Sequence, residues 1–304
     1  MSKIIVTGGL GFIGSHFINY INENTDHEML IVDKLTYAAS RKNIKKPTPI
    51  LEKDICDVTM EDLGDYDYIV HFAAESHVDN SIKNGMPFVK TNVEGTFKLI
   101  EVARKNPNLK KFLHISTDEV YGDRENRGES NEESPLEASS YYSATKTSSD
   151  LLVMAAGRTY NFPYLITRTC NNYGENQHSE KFIPTIINSI KNGLDVPVYG
   201  DGKQIREWIH ADDNAAAIYK LLMSDKVKEC YNIGTNERWQ NIEILKMIGD
   251  FLEKKVNFKY VDDRLGHDRM YALNCEKYKK DFGNIQNINF QEWITKSLLT
   301  HHNQ

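Results

Sequence analysis

The apolar run Ile4-Ile5-Val6 passes through Thr7 straight into Gly8-Gly9-Leu10-Gly11-Phe12-Ile13-Gly14, and a helical pattern then runs from Phe12 to Glu23. Glycines at 8, 11 and 14 between a strand and a helix constrain the chain more than any other feature. A turn this tight needs a backbone free to adopt positive φ, and it aims its N–H groups at one point beside the positive end of a helix. That is a cradle for phosphate. A ligand-free turn would use the same glycines, so the loop specifies a strand–turn–helix unit before it specifies a function.

The rest of the first half repeats this alternation. Candidate strands are Ile4 to Thr7, Met29 to Asp33, Ile50 to Lys53, Tyr68 to Phe72, Phe112 to Ser116 and Tyr164 to Thr169. Each is apolar enough to be buried on both faces. Helical patterns fill the gaps at Phe12 to Glu23, Pro87 to Lys105 and Tyr142 to Tyr160. Strands alternating with helices in one sheet give parallel pairing through right-handed crossovers. The expected fold is therefore α/β, a Rossmann-type doubly wound parallel sheet carrying a smaller α/β substrate-binding lobe.

Beyond Arg168 the pattern loosens into the polar stretch Cys170 to Glu180 and the turn Tyr199-Gly200-Asp201-Gly202. The expected division is a dinucleotide-binding domain over 1–170, with 207–235 returning to it through a helix at Asp213 to Leu222 and a strand at Tyr231 to Ile233. Residues 171–206 and 236–304 form the lobe. The charged stretch Asp123 to Glu137 reads as a solvated loop.

Composition excludes several classes. A formal net charge of −6 provides no general basic surface for a nucleic-acid backbone. Cys56, Cys170, Cys230 and Cys275 form no Cys-x-x-Cys pair, which argues against a zinc site or a disulfide framework. Met1-Ser2-Lys3 leads directly into the first strand, and no apolar run is long enough to span a bilayer. The expectation is a cytoplasmic protein with no metal, no nucleic acid and no membrane partner.

Asp33 closes the second strand about 20 residues past the glycine loop, where a dinucleotide fold places the carboxylate for the ribose hydroxyls. A carboxylate there repels a 2′-phosphate and favours NAD over NADP, although Lys34 and Arg41 are the kind of cations that a 2′-phosphate uses. Asp54, after the third strand, is in position for the adenine amino group.

Ser116-Thr117-Asp118-Glu119 lies at the carboxyl end of a central strand, the edge at which open α/β sheets bind ligands. Downstream, Tyr142 and Lys146 stand four apart on a helix and share one face. A phenol titrates near ~10, so it needs a neighbouring cation to act as a base near neutrality. Tyr199 and Lys203 have the same spacing but lie in a glycine-rich turn, which cannot present a helical face.

Taken together, Thr7 to Gly14, Asp33 to Tyr37, Ala73 to Asp79, Ser116 to Gly122 and Tyr142 to Lys146 resemble the dTDP-glucose 4,6-dehydratase family of extended short-chain dehydrogenase/reductases. Asn171 to Gly174, Glu180 to Pro184, Gln204 to Arg206, Tyr231 to Gly234 and Asp263 to Asp268 extend the resemblance over nearly the whole chain. It implies an NAD pocket of Gly8, Gly11, Phe12, Ile13, Gly14, Asp33, Lys34, Thr36, Asp54, Ile55, Ala73, Ala74, Tyr142 and Lys146. It implies nucleoside-diphosphate hexose contacts from His77, Thr117, Asn171, Lys181, Arg206, Asn241, Arg264 and His267.

The resemblance also implies a reaction. Tyr142 takes the hexose 4-hydroxyl proton as C4 is oxidised by NAD, with Thr117 on the same oxygen. Glu119 then removes the C5 proton, Asp118 protonates the departing 6-hydroxyl, and hydride returns to C6. It further implies a homodimer through the helices Pro87 to Lys105 and Tyr142 to Tyr160, with Phe88, Phe97, Leu151, Leu152 and Met154 as candidate contacts. A 4-epimerase or decarboxylase would share the glycine loop, Tyr142 and Lys146, and a non-catalytic dinucleotide sensor the loop alone. Neither needs the pair Asp118-Glu119.

Overall fold

The apolar runs become strands. The computed structural model describes residues 1–253, 256–285 and 288–294. Along the chain the strands are β1 (Lys3–Thr7), β2 (Glu28–Asp33), β3 (Ile50–Glu52), β4 (Tyr68–His71), β5 (Lys111–Thr117), β6 (Tyr164–Thr169), β7 (Asn171–Tyr173), β8 (Val196–Tyr199), β9 (Ile205–His210), β10 (Glu229–Ile233), β11 (Arg238–Gln240) and β12 (Phe258–Val261). Seven of them form one parallel sheet in the order β10-β6-β5-β4-β1-β2-β3. The order reverses between β1 and β4, which opens a crevice at their carboxyl ends.

Helices cover both faces. Phe17, Ile18 and Ile21 of helix Phe12–Asn24 join Ala215, Ile218 and Leu221 of helix Ala211–Met223 in one core. Leu99 and Ile100 of helix Thr96–Ala103 join Val153 and Ala156 of helix Tyr141–Tyr160 in the other. Every residue of β5 is buried, including Lys111. Its Nζ donates to the carbonyls of Leu221, Leu222 and Ser224, at the negative end of the Ala211–Met223 helix. This bond set anchors the returning helix to the centre of the sheet.

The polar stretch after Arg168 contains β7, which pairs with β9, and β9 pairs in turn with β11. A third core, with Tyr173, Ile186, Trp208, Ile248, Phe290 and Ile294, holds this lobe together. Residues 295–304 of the expected lobe lie outside the described residues.

Two expectations need correction. The helix expected over Pro87 to Lys105 is α-helical at Met86–Phe88 and Thr96–Ala103 but π-wound at Val89–Gly95. The wider turn brings Thr91, Asn92 and Gly95 inward, where Asn92 clamps both backbone groups of Glu75. The stretch Asp123 to Glu137 is not simply a solvated loop. Ser130 within it is fully buried and bridges to Leu273, and Glu132 accepts a hydrogen bond from the Asn232 N–H.

Candidate active site

A cavity of about 600 Å³ occupies the crevice and extends into the lobe. This is within the range of small-molecule sites. It gathers all of the expected site residues except Asp54 and Asp118 along its walls.

At one end, Gly8 (φ 69°) donates its N–H to the Val32 carbonyl at 2.8 Å. A Cβ on Gly8 would come within 2.6 Å of the Ala73 nitrogen, and one on Gly14 within 2.3 Å of the Gly8 oxygen, so chain packing alone demands both glycines. Gly11 differs, because a Cβ there would meet only the Gly8 oxygen, at an ordinary 3.4 Å. What its missing side chain leaves open is the N-terminus of helix Phe12–Asn24, which has no side-chain cap and no acidic residue in its first turn. Open donors at the positive end of a helix suit a pyrophosphate.

Asp33 ends β2 facing this loop. Its carboxylate accepts from the N–H groups of Leu10 (3.0 Å) and Leu35 (2.9 Å), which fixes its orientation beside the cavity. The nearby cations are already engaged. Lys34 donates to Thr91 at 3.1 Å and lies 3.5 Å from Asp54, while Arg41 pairs with Glu52 at 2.8 Å. Asp54 is not among the residues that line the cavity; its partly exposed carboxylate also accepts from the Cys56 N–H at 2.9 Å. With these cations committed to carboxylates and Asp33 turned inward, the pocket fits NAD rather than a 2′-phosphorylated dinucleotide.

At the other end, β5 delivers Thr117 to the sheet edge, and the turn Asp118–Tyr121 begins there. Thr117 donates to Asp118 Oδ1 at 3.1 Å, leaving Asp118 Oδ2 without a partner and the residue only 2 % exposed. Burial, then the neighbouring Glu119 and Glu207, push the Asp118 carboxyl well above its usual range. Glu119 faces the cavity, and burial raises its carboxyl too, but Arg264, Arg206 and Lys181 all pull it back. Both carboxyls end above their ordinary range, Asp118 the further, an ordering that suits Asp118 as proton donor and Glu119 as proton acceptor.

Tyr142 and Lys146 come from helix Tyr141–Tyr160, started by a reciprocal capping box between Ser140 and Ser143. Burial pushes the Tyr142 phenol up, as does Glu119, while the Thr117 hydroxyl favours the phenolate. Lys146 Nζ donates to the Ile115 carbonyl at 2.7 Å, and burial lowers the ammonium to about 8.

The lobe supplies the remaining wall. Lys181 Nζ donates to Ser76 across the crevice, and Arg264 approaches Asp79 at 3.4 Å. Arg206 donates to the carbonyls of Ile205 and Asp268 and stacks over the Tyr271 ring at 4.2 Å. His77 caps helix Val78–Lys83 through Nδ1, and His267 Nδ1 lies 2.6 Å from Asp263. Asn171 and Asn241 line the cavity from β7 and from the start of helix Asn241–Phe251.

Several residues at the cavity fall outside the expected set. Glu180 and His178 line it, and Tyr37 outside donates to Glu180 at 2.9 Å and meets His178 edge-on; both Tyr37 and Glu180 were visible within matched motifs. Tyr271 is 4 % exposed and donates to Asp268 at 2.7 Å. It reaches the site through a long-range bond from its N–H to the Ile205 carbonyl, which no local pattern reports.

Comparison with known proteins matches this architecture. Residues 4–234 match the NAD dependent epimerase/dehydratase family. The chain belongs to that family and, within it, to the dTDP-glucose 4,6-dehydratases. It is 41 % identical to the dTDP-glucose 4,6-dehydratase of Haemophilus influenzae, over 98 % of this chain and 97 % of that one. It is 45 % identical to the low-salt glycan biosynthesis protein Agl12 of Haloferax volcanii, over 91 % of each. The crystal structure of DesIV, a dTDP-glucose 4,6-dehydratase from Streptomyces venezuelae solved with NAD bound, superposes with a TM-score of 0.94 at 38 % identity, covering 99 % of this chain and 97 % of that one.

Proposed function

We propose that the cavity binds NAD at the glycine loop and a nucleoside-diphosphate hexose against the lobe, and that its residues convert the hexose to the 4-keto-6-deoxy product with loss of water. The observation that carries this reading is the carboxylate pair, a buried Asp118 whose Oδ2 has no partner beside a cation-flanked Glu119, adjoining Tyr142.

NAD, when bound, supplies a hydride acceptor for C4 and later a donor for C6. Tyr142 takes the 4-hydroxyl proton, Thr117 holds the same oxygen, and Lys146 provides the buried positive charge that a phenolate needs. The resulting 4-ketone acidifies C5. Glu119 removes the C5 proton and Asp118 delivers one to the departing 6-hydroxyl, which leaves as water, and C5 regains a proton when hydride returns to C6. Lys181, Arg206 and Arg264 hold the diphosphate, the arginines as planar forks. In an acidic protein these local cations are what an anionic substrate requires.

The curated relative from Haemophilus influenzae is named for dTDP-glucose, which makes that sugar nucleotide the leading candidate. The test is incubation with dTDP-glucose, UDP-glucose and UDP-N-acetylglucosamine, followed by mass detection of water loss. A product that has lost water at C6 supports the reading. A product that keeps its 6-hydroxyl with C4 inverted replaces dehydration with epimerisation. The exposed apolar positions of helices Thr96–Ala103 and Tyr141–Tyr160 further support a homodimer built through that face.

A further inference from the structure

The helix that carries Tyr142 and Lys146 has a third member on the same stripe, four positions further on, that the reaction scheme leaves unused. Asp150 is fully buried. Its Oδ2 accepts from Arg168 Nε at 2.9 Å, and its Oδ1 lies 3.4 Å from His114 Nε2. Arg168, on β6 and 2 % exposed, continues the chain of contacts. Its guanidinium lies 4.9 Å from the centre of the Tyr121 ring, and its Nη1 donates to the Tyr121 hydroxyl at 2.9 Å. Tyr121 closes the turn that bears Asp118 and Glu119 and donates to Asn232 on β10 at 2.8 Å. One buried ion pair therefore joins the helix of the tyrosine base to the turn of the carboxylates.

Stability alone is a weak reason for such a pair, since buried ion pairs are often no better than apolar residues of the same volume. Its surroundings suggest a use. The groups facing Asp150 are Tyr142 and Lys146 on its own helix, His114 on β5, Arg168 on β6 and Cys230 on β10, and its charge adds a little to the upward push that burial and Glu119 give the Tyr142 phenol. Lys146 also faces His71 on β4 and His114 on β5. Burial lowers both imidazoles, His71 well below its ordinary value and His114 to about 4, so neither supplies a competing positive charge. Burial alone would raise Asp150, but the neighbouring His114 and the Arg168 charge outweigh this and hold it below its ordinary value. Burial lowers Lys146, and the Asp150 carboxylate opposes that loss.

We propose that Asp150 is a positioning residue, which docks the Tyr142–Lys146 helix onto the Asp118–Glu119 turn through Arg168 and keeps the Lys146 cation charged in a dry interior. The proposal rests on the reading of Tyr142 and Lys146 as the oxidising pair.

The test compares wild type with Asp150→Asn and Asp150→Glu in two measurements. The first is the pH profile of enzyme-bound NADH formation from dTDP-glucose, UDP-glucose and UDP-N-acetylglucosamine. In Asp150→Asn the alkaline limb should move down by about one pH unit, with kcat falling ~10-fold near pH 8 and KM nearly unchanged. Asp150→Glu should restore the limb. The second is the titration midpoint of Lys146 Nζ, followed by NMR on protein carrying ¹⁵N-lysine, with Lys146→Arg to assign the signal. The midpoint should fall by about one unit in Asp150→Asn and recover in Asp150→Glu. An unmoved midpoint in Asp150→Asn overturns the proposal, whatever the substrate. NADH formation without water loss in wild type removes the dehydratase reading and leaves this test intact. Should Asp150→Asn not fold, an Asp150→Glu protein with a displaced midpoint and an uncorrected limb overturns the proposal equally.

Discussion

Two adjacent tyrosines give the sharpest test of the site at the level of single residues. Tyr142 is 9 % exposed inside the cavity, whereas Tyr141 is 63 % exposed on the outer surface of the same helix. Tyr142→Phe should bind NAD with near-normal affinity and lose turnover by a factor of ~100 or more, because the base for the 4-hydroxyl is gone. Tyr141→Phe should remain within a few-fold of wild type. Steady-state kinetics on the best nucleotide hexose checks both. The carboxylates make a second prediction, read as the pH dependence of water loss. In the proposed reaction Glu119 acts ionised, so elimination should fail as pH falls through its raised pKa. Asp118 in that scheme acts protonated, so elimination should fail as pH rises through a value raised further still. The two interact directly and should titrate as a pair, giving a bell displaced to higher pH than two ordinary carboxylates allow. Glu119→Gln should accumulate bound NADH and the 4-ketohexose and remove the acid limb. An unshifted bell would mean that the acid and base lie elsewhere.

Among elements, the π-wound segment Val89–Gly95 shows where local reading of the chain stops. Alternation of apolar runs with helical patterns placed the six principal strands to within a residue or two, because both faces of a parallel strand are buried and its sequence says so. Nothing in Pro87 to Lys105 signals a wider turn. Its cause is tertiary, since Asn92 must reach Glu75 beyond β4 and Thr145 on helix Tyr141–Tyr160. Asp118 marks a similar limit. Its place in the motif and its bond from Thr117 were legible from the order of residues, but its electrostatic setting depends on Arg206 and Glu207 arriving on β9. Asn92→Ala should strip both backbone groups of Glu75 of their partners. Such unsatisfied groups cost about 1–3 kcal/mol. Urea denaturation should show that loss together with weaker NAD binding, because the Ala73-Ala74-Glu75 wall no longer has its clamp. Unchanged affinity with lowered stability would confine Asn92 to the fold.

For the molecule as a whole, the outer face of helix Tyr141–Tyr160 is the surface that the proposed homodimer would cover. Of the five apolar residues expected at an intersubunit contact, Phe88 is 2 % exposed and packs edge-on against Tyr142, while Leu152 and Met154 pack against the core beneath the helix. Leu152 and Met154 are only partly buried, while Phe97 and Leu151 are the exposed ones, at 49 % and 52 %. They have company that helical periodicity alone did not single out, since Met86, Val89, Tyr141 and Tyr160 are exposed on the same pair of helical segments. Charged neighbours at the rim satisfy one another within the chain, Glu94 with Lys98 and Glu101 with Arg104. An apolar centre with a self-paired rim suits a second copy of the same surface, and a stable dimer needs about 800 Å² from each partner. Light scattering at micromolar concentration should give twice the chain mass. Phe97→Glu combined with Leu151→Glu places four like charges in a two-fold contact and should yield a folded monomer. Tyr142, Lys146 and Asp150 lie on the buried face of the same helix, so loss of the partner should also loosen the base and lower kcat more than it raises KM. A wild-type protein with the mass of one chain would rule out this interface, and a monomeric variant with full kcat would separate assembly from catalysis.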